Sequence, residues 1–421
     1  MRLDPGNDSH MTSRAKTDAE LSRAGMSERK GPLAGIRVLE LPNIGPLQHA
    51  GMVLADLGAE VLRLDRKAHV DAGTGLQGPY TPYSLLDRGR RSAGIDLKHA
   101  QAAEIVARLA ERADVVVEGF RPGVAERLGV GPDDLCAKNP RLIYGRMTGW
   151  GQDGPLARDV GHDINYISLA GVLAHVGPPG GAPVPPLNLI GDFGGGSMLL
   201  VVGVLAALVE RGTSGKGQVV DAAMVDGSAL LMSIFYVFDQ FGPGMWGPRG
   251  TNLLDGGAHF YGVYQCADGT YVSLAAFEPQ FYAAFVRLVC GLGIDGLGAQ
   301  DLQLDQQHDR AQWPVLRERL AGMFRTRTRG EWLAFFAGHE ICFAPVLTMA
   351  EARRHPHNVA RGTFTTVDGV EQNAPAPRFS RTPGAIAHAA RAAGADTDAA
   401  LGDWGIAEGE VAALRAAGVI A

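Results

Sequence analysis

Two ionisable side chains in glycine-rich surroundings are the residues of this sequence best suited to chemistry. His162 follows Gly161 in a Gly-His-Asp-Ile-Asn-Tyr run, and Asp192 precedes Phe193 and three glycines. Histidine titrates near neutral pH, and burial can raise the pKa of a carboxyl group, so both residues suit proton transfer. Each could instead be a helix cap. The glycines after Asp192, which a simple cap does not need, favour a ligand that comes close to the backbone.

Each of these two side chains is predicted to lie where a helix begins. An apolar segment at 166–173 follows His162, and the apolar run Met198–Val209 follows Asp192. We therefore expect Asp192 in a loop that enters a buried helix, where unpaired N–H groups and the helix dipole favour a negative charge. The run Met198–Val209 is too short to cross a bilayer, which takes about 20 residues, so no membrane span is predicted.

The chain before these residues has the pattern of a parallel α/β sheet. Strands and helices alternate with short links, which implies parallel pairing, with strands at 36–41, 60–64, 95–97, 114–117 and 141–146 and helices at 48–57 and 100–113. A dinucleotide site would use Asp65 as its ribose ligand. It would also need Gly-x-Gly-x-x-Gly after the first strand, where the segment 42–46 stands instead, which argues against NAD or FAD.

Basic residues gather in this part of the chain and leave two interpretations open. They are either solvated surface charges or a cradle for a phosphorylated ligand, because guanidinium groups bind phosphate oxygens by paired hydrogen bonds. Arg121 follows a strand at the position where open α/β sheets bind ligands. The other residues of this group are Arg66, Lys67, Arg88, Arg90, Arg91 and Lys98.

Composition excludes several classes of protein. The formal net charge of −6, with both signs mixed, argues against nucleic acid or an anionic membrane as the main partner. The four cysteines lack metal-ligand spacing and suit a reduced, cytoplasmic interior; they are Cys136, Cys266, Cys290 and Cys342. Residues 1–30 have no apolar stretch of a secretory signal and are expected to form a disordered tail.

The character of the chain changes near residue 240. We expect a large domain at 31–240, a small α+β domain at 241–345, and a return segment with a C-terminal helix at 346–421. The small domain should begin with a hairpin of strands at 259–266 and 270–274. Glu278 then precedes a proline that starts a helix, where an acid is favourable in any case.

Nine segments together resemble the α-methylacyl-CoA racemases, which belong to the family III CoA-transferase fold group. The resemblance runs from about Gly31 to Pro383. Its segments are GPLAGIRVLEL, LADLGAEVLRLDR, EGFRPGVAERLG, RLIYGRMTGWGQ, GHDINYISL, PPLNLIGDFGGGS, GKGQVVDAAMVDG, FEPQFYAAF and APAPRFSRT. It implies a large Rossmann-like domain and a small α+β domain, in an interlocked homodimer whose active sites each use both subunits.

The resemblance also implies a set of site residues. The catalytic positions match His162, Asp192 and Glu278, and Asp163 matches an acid that supports the site. The CoA-binding positions match Arg66 and Arg121, with Arg91 as a further contact. CoA is then part of the substrate, and no separate cofactor or metal is expected. The sequence departs from the family at 67–86, which is longer than expected, and at Asp87, where the family has asparagine.

His162 distinguishes two activities within this fold group. The transferases use the aspartate that matches Asp192 as a nucleophile, but typically lack a histidine after Gly161. A racemase moves the weakly acidic α-proton of an acyl-CoA thioester, so we expect His162, oriented by Glu278, on one face and Asp192 on the other. Backbone N–H groups at 193–195 are expected to bind the enolate oxygen. CoA transfer through Asp192, or CoA binding without turnover, stay open as alternatives.

Overall fold

The computed structural model describes residues 29–75, 78–79, 81, 83–242, 245–291 and 302–421. Nearly all of the predicted tail at 1–30, and part of the segment 67–86, lie outside the described residues. Within that segment, two-residue strands Thr74–Gly75 and Gly78–Pro79 pair with each other.

Six parallel strands form the large sheet, which confirms the predicted α/β fold class. They are β1 (Arg37–Glu40), β2 (Glu60–Arg66), β3 (Arg91–Ile95), β4 (Val115–Glu118), β5 (Ile143–Thr148) and β6 (Val219–Ala223). Their order across the sheet is β3-β2-β1-β4-β5-β6. The prediction of a strand at 95–97 was wrong, because β3 ends at Ile95.

Helices cover both faces of this sheet and complete the rest of the chain. Those up to residue 240 are α1 (Pro46–Asp56), α2 (Lys67–Asp71), α3 (Ala102–Glu111), α4 (Val124–Arg127), α5 (Pro132–Lys138), α6 (Asp163–Leu169), α7 (Leu199–Ser214), α8 (Met224–Leu231) and α9 (Ser233–Gln240). Those after it are α10 (Pro279–Cys290), α11 (Trp313–Phe324), α12 (Arg329–Phe336), α13 (Met349–Arg354), α14 (Pro356–Arg361), α15 (Thr397–Asp403) and α16 (Glu408–Ala416). Short 3₁₀ turns occupy Leu85–Asp87, Leu173–His175 and Leu304–Gln306.

Two apolar layers hold the sheet between helices. One face packs against α1 and α7, and the other packs against α3 and the C-terminal helices α15 and α16. Burial on both faces explains why the strands read as continuous apolar runs in the sequence. The chain end returns to the sheet edge, where Ile420 bridges to Ile95.

The strand order reverses between β1 and β4, and this position organises the site. In a parallel sheet the carboxyl ends of all strands lie at one edge, and here Glu40 ends β1 beside Val117 of β4. Ligands of open α/β sheets bind in the crevice at such a reversal. The loops that follow β1 and β4 flank this crevice.

The small domain is built on a three-stranded antiparallel sheet. Its strands are β7 (Tyr261–Gln265), β8 (Tyr271–Ala275) and β9 (Phe343–Val346), in the order β9-β8-β7. The pairing of β7 with β8 confirms the predicted hairpin. Two further strands, β10 (Phe364–Val367) and β11 (Val370–Asn373), pair with each other in the return segment.

Asp192 lies in a π-helical segment, Leu189–Met198, that runs directly into α7. The prediction of a loop at this point was therefore wrong. The two pieces together form one helix of 26 residues that is long and apolar enough to cross a membrane by length and composition. One face of α7 nevertheless packs into the core through Leu200, Val204 and Ala207.

Candidate active site

A carboxylate joins the helix that follows His162 to the segment that carries Asp192. The N–H of Asp192 donates to Asp163 Oδ2 at 2.8 Å. Asp163 is the first residue of α6 and is only 7% exposed, so its carboxylate is fixed in the protein interior. This hydrogen bond brings two predicted site residues together across 29 positions of sequence.

Glycine at position 191 makes this contact possible. A Cβ atom at Gly191 would lie 2.5 Å from Asp163 Oδ2, closer than van der Waals contact allows. Further along the same segment, Gly195 meets α8 backbone to backbone, since a Cβ there would lie 2.6 Å from the amide nitrogen of Ser228. The glycines thus allow the π-helical segment to pack closely at both ends.

His162 occupies the N-cap position of α6, and its ring is exposed. Its backbone N–H donates to Asn165 Oδ1 at 3.0 Å. The cap interpretation of His162 is thus correct for the backbone, while the imidazole stays available for a ligand.

The environment of Asp192 favours the protonated carboxyl group. Burial is the largest cause that raises its pKa, and the nearby charge of Asp163 acts in the same direction. Asn188 Nδ2, which donates to Asp192 Oδ2 at 3.0 Å, and the charge of His162 both lower that pKa. The effect of His162 places its ring within electrostatic range of Asp192.

Tyr166 packs against the residues that follow β5, with its ring centre 4.8 Å from that of Trp150. Its hydroxyl donates to the carbonyl of Gly161, next to His162. A Cβ atom at Gly149 would overlap the Tyr166 ring, so a glycine is needed there. Burial raises the pKa of Tyr166, followed by the charge of Asp192, whereas Arg121 lowers it. Arg121 therefore lies within electrostatic range of Tyr166.

Arg66 and Arg121 lie at the carboxyl edge of the sheet with their side chains exposed. Arg66 ends β2, and Arg121 follows the end of β4 by three residues. Neither forms an ion pair within the described part of the chain. Both are thus placed and free to meet an anionic ligand.

Arg91 does not belong to this group. It begins β3 and pairs in register with Leu62, so it lies toward the amino edge of the sheet. Its guanidinium group contacts Asp403 at 2.6 Å and Glu60 at 3.7 Å. The expectation that Arg91 contacts CoA is therefore not supported.

Arg88 and Arg90 have structural partners instead of a phosphate. Arg90 Nη1 lies 2.5 Å from each carboxylate oxygen of Glu40, and both side chains are 0% exposed. Arg88 bonds Asp56 at the end of α1 and Gln372 of β11. These arginines therefore link separate elements of the fold.

Two acidic residues near these arginines, Asp87 and Asp65, also have structural partners. Asp87, which replaces the family's asparagine, contacts Arg63 and lies 2.8 Å from Arg90. Asp65, the ribose ligand of the rejected dinucleotide hypothesis, accepts hydrogen bonds from Arg63 at 2.8 Å and from Ser92 at 2.5 Å. Both carboxylates thus stabilise the end of β2.

Glu118, at the end of β4, holds the start of the loop that carries Arg121. It accepts hydrogen bonds from the N–H of Phe120 at 2.5 Å and from Arg146 Nε at 2.9 Å. These partners lower the pKa of Glu118, but burial has the larger effect and raises that pKa to about 7.

Glu278 is placed by a different element from those that carry His162 and Asp192. It is the exposed N-cap residue of α10 in the small domain. Burial, followed by the charges of Glu278 and Glu340, raises the pKa of Cys342. Glu278 is therefore close to Cys342, and the described chain shows no hydrogen bond between Glu278 and His162.

The N–H groups expected to bind an enolate oxygen are placed differently from the prediction. A π-helix pairs each N–H with the carbonyl five residues earlier, and the N-cap residue Asn188 supplies the first carbonyl, so the N–H groups from Phe193 onward serve the helix itself. In α6 the first backbone bonds begin with Asn165 N, which donates to His162 O. The N–H groups of Asp163 and Ile164 precede it, so they have no carbonyl partner within α6.

Among the described residues, no group of three or more His, Cys, Asp and Glu side chains could hold a metal ion.

Sequence reasoning missed three residues that shape the site. Asn188 could have been found from its spacing of four to Asp192 in a helix, whereas Tyr166 and Gly191 carry no signal apart from their neighbours.

Comparisons with known proteins identify the family of this chain. The family model described as CoA-transferase family III matches residues 33–397. The chain is 42% identical over 388 residues to alpha-methylacyl-CoA racemase from Mus musculus, which covers 91% of this chain and 96% of that protein. It is also 42% identical over 353 residues to alpha-methylacyl-CoA racemase from Homo sapiens, covering 83% of this chain and 87% of that one.

A solved structure shows the same fold. The crystal structure of a CAIB/BAIF family protein from Brucella suis superimposes with a TM-score of 0.76 at 26% identity, over 89% of this chain and 100% of that chain. The family model and the long alignments agree with the motifs around His162 and Asp192. The chain belongs to CoA-transferase family III.

Proposed function

We propose that this protein is an isomerase that racemises 2-methylacyl-CoA thioesters by moving the α-proton from one face of the substrate to the other. Two relatives that align over most of this chain are named as racemases of this kind. The observation that carries the proposal is the 2.8 Å hydrogen bond between Asp192 N and Asp163 Oδ2. It holds a histidine and a carboxyl group at one site, as a two-base exchange requires.

The two groups have complementary tasks in this mechanism. One enantiomer presents its α-hydrogen to His162 and the other presents it to Asp192, and whichever group does not remove the proton returns one from the opposite face. Burial raises the pKa of Asp192, so its protonated form, the one that donates, is more populated than for a solvated aspartate. The N–H groups of Asp163 and Ile164, which have no carbonyl partner within α6, are proposed to stabilise the enolate oxygen.

The CoA part of the substrate is assigned to Arg66 and Arg121. Both are exposed, both lie at the carboxyl edge of the sheet, and both lack an ion-pair partner in the described residues. CoA is then a portion of the substrate, and we propose no further cofactor.

CoA transfer with Asp192 as nucleophile is the alternative within the same family. Deuterium incorporation distinguishes the two activities. Pure (R)- and (S)-2-methylacyl-CoA are incubated with the protein in heavy water, and mass spectrometry and chiral analysis follow the product. We expect deuterium at the α-carbon with loss of configuration. Transfer of CoA to an added free acid, with an acyl-aspartate trapped by hydroxylamine and no deuterium, would contradict the racemase assignment.

We also propose that the active form is an interlocked homodimer in which the partner's Glu278 orients His162. Two observations support it. No hydrogen bond joins Glu278 to His162 among the described residues of one chain, and α7, α8 and α9 leave apolar side chains exposed. These are Val202, Val209, Leu230, Leu231, Ile234 and Val237. A second copy over these residues also accounts for the apolar helix Leu189–Ser214 without a membrane.

A mixture of two inactive variants tests the dimer directly. In a heterodimer of His162→Ala and Glu278→Gln chains, one site carries both changes and the other carries neither, provided each site combines residues of two chains. We expect activity to return when the two variants are co-expressed. Activity that stays absent in a purified heterodimer would place both residues in the same chain's site.

We propose a cytoplasmic location and no nucleic-acid or membrane partner. Among the described residues, Cys136, Cys266 and Cys342 form no disulfide bond, which suits a reducing compartment. The helix Leu189–Ser214 also carries Arg211, which is mostly buried and pairs with Asp114 at 2.9 Å, a contact typical of a protein interior.

A further inference from the structure

His49 contacts the π-helical segment at two points. Its Nδ1 lies 2.6 Å from Ser197 Oγ, and its ring centre lies 4.9 Å from the ring centre of Phe193. Ser197 is 0% exposed, so its hydroxyl group has no access to water and depends on a partner in the protein. His49 is that partner, across 148 positions of sequence.

The two contacted residues enclose the turn of Asp192. Phe193 directly follows Asp192, and Ser197 lies five residues after it. The hydrogen bonds of a π-helix join residues five apart, so Asp192 and Ser197 belong to one hydrogen-bonded turn. His49 thus holds both the start and the end of the turn that carries the proposed base.

A histidine beside a serine hydroxyl can also activate a nucleophile. That interpretation does not fit here, because a hydroxyl that is 0% exposed cannot reach a substrate. The contact can hold structure, but it cannot attack a thioester.

The helix that carries His49 is itself firmly fixed. Asp56, the last residue of α1, pairs with Arg88 at 2.5 Å. At the middle of α1, Gly51 leaves the space that the Glu40 carboxylate occupies. Burial, followed by the charges of Arg88 and Arg90, lowers the pKa of His49, so the neutral imidazole that suits a hydroxyl partner is favoured.

We propose that His49 is a positioning residue that sets the place of the Asp192 carboxyl group through Ser197 and Phe193. The inference rests on the proposed racemase function. It predicts that a change at His49 slows proton transfer at one face of the substrate only, because His162 is held by a different helix. A shift of about 1 Å in a reacting group can cost on the order of 100-fold in rate.

The test compares His49→Leu with His49→Asn. The asparagine side chain keeps a polar atom near the position of Nδ1, whereas leucine keeps only the bulk. The readout is α-deuterium exchange of each enantiomer in heavy water, and Asp192→Asn identifies the enantiomer whose exchange depends on Asp192. In His49→Leu we expect exchange of that enantiomer to fall about 10- to 100-fold. Exchange of the other enantiomer should stay within a few-fold, and His49→Asn should recover most of the loss.

Ser197→Ala provides a second route to the same contact if His49→Leu folds poorly, and we expect the same one-sided loss. Equal losses for both enantiomers, or unchanged exchange in both His49→Leu and Ser197→Ala, would overturn the positioning role. Wild-type protein that exchanges neither enantiomer would contradict the racemase function instead. The positioning role would then be judged by the yield of trapped acyl-aspartate at Asp192, which must be lower in His49→Leu than in His49→Asn.

Discussion

The arginines in and around the large sheet fall into two groups that differ in their partners. Arg63 and Arg90 are buried and neutralised by Glu40, Asp65 and Asp87. Arg66 and Arg121 lie at the carboxyl edge of the sheet, where they are exposed and have no acidic partner among the described residues. A charge that the protein already neutralises serves the fold, and a charge that it leaves free at a ligand crevice is available for a ligand.

This difference separates basic residues that form one group in the sequence. Arg66, Arg88 and Arg90 are close in sequence, and all of them suit a phosphate cradle by residue type. The structure gives Arg88 and Arg90 buried acidic partners and leaves Arg66 exposed, where we propose that it binds CoA.

The largest effect should come from Arg90→Met. The substitution leaves the Glu40 carboxylate buried without its partner, which typically costs about 3–5 kcal/mol of stability. Denaturant unfolding measures this loss. The double variant Arg90→Met/Glu40→Leu should recover much of it, since it leaves no unpaired charge. A loss below about 1 kcal/mol in the single variant would show that this pair does not behave as a buried ion pair.

Protonation of Glu118 should have the next largest effect. Burial raises its pKa to about 7, above the ordinary value of about 4.3. The folded protein therefore binds an extra proton between these values, and the free energy of unfolding should fall as pH rises from about 4.5 to 7. One pKa unit corresponds to about 1.4 kcal/mol, so the fall is about 3 kcal/mol at most. Unfolding curves of Glu118→Gln should lack this component, and an identical pH dependence in the variant would contradict the assignment.

Arg121→Gln and Arg66→Gln should weaken substrate binding without unfolding the protein. Loss of a hydrogen bond to a charged group costs about 1.5–3 kcal/mol, so KM for acyl-CoA should rise about 10- to 100-fold. We expect little change in kcat or melting temperature. Arg91→Gln is the matched control, because its partner Asp403 is on the surface. An equal rise of KM in Arg91→Gln would remove the distinction between paired and free arginines.

Gly191→Ala should have the smallest effect of the four, and it tests the contact between the two acids. The added methyl group would push the Asp163 carboxylate from the N–H of Asp192, and we expect kcat to fall about 10-fold. Gly212→Ala in α7 is the control, since a Cβ there meets nothing within 4 Å. It should raise stability by about 0.5–1 kcal/mol. Unchanged kcat in Gly191→Ala would show that the contact does not position Asp192.

The regular parts of the fold could be predicted from the sequence. The βαβ pattern and the hairpin of β7 and β8 rest on local periodicity, which the sequence carries directly. The π-helical segment could not be predicted, because Gly194, Gly195 and Gly196 disfavour a regular helix locally. Its contacts with α1, α6 and α8 stabilise it, and those contacts join distant parts of the chain.

The residues of the site could be predicted only in part from the sequence. The motifs around His162 and Asp192 identified the residues that lie together, whereas His49 had no signal because its partner is far away in sequence. Arg91 could not be separated from the other basic residues by sequence, because a run of basic residues does not show at which end of a strand each one lies. Here Arg91 starts β3, away from the crevice.

The most direct test of the two-base account is enantiomer-specific exchange in His162→Ala and Asp192→Asn. Each variant keeps one of the two bases, so each should exchange deuterium into one enantiomer without inverting it. The account predicts that the two variants exchange opposite enantiomers and that neither racemises. Exchange of the same enantiomer by both variants, or loss of exchange for both enantiomers in both variants, would contradict it.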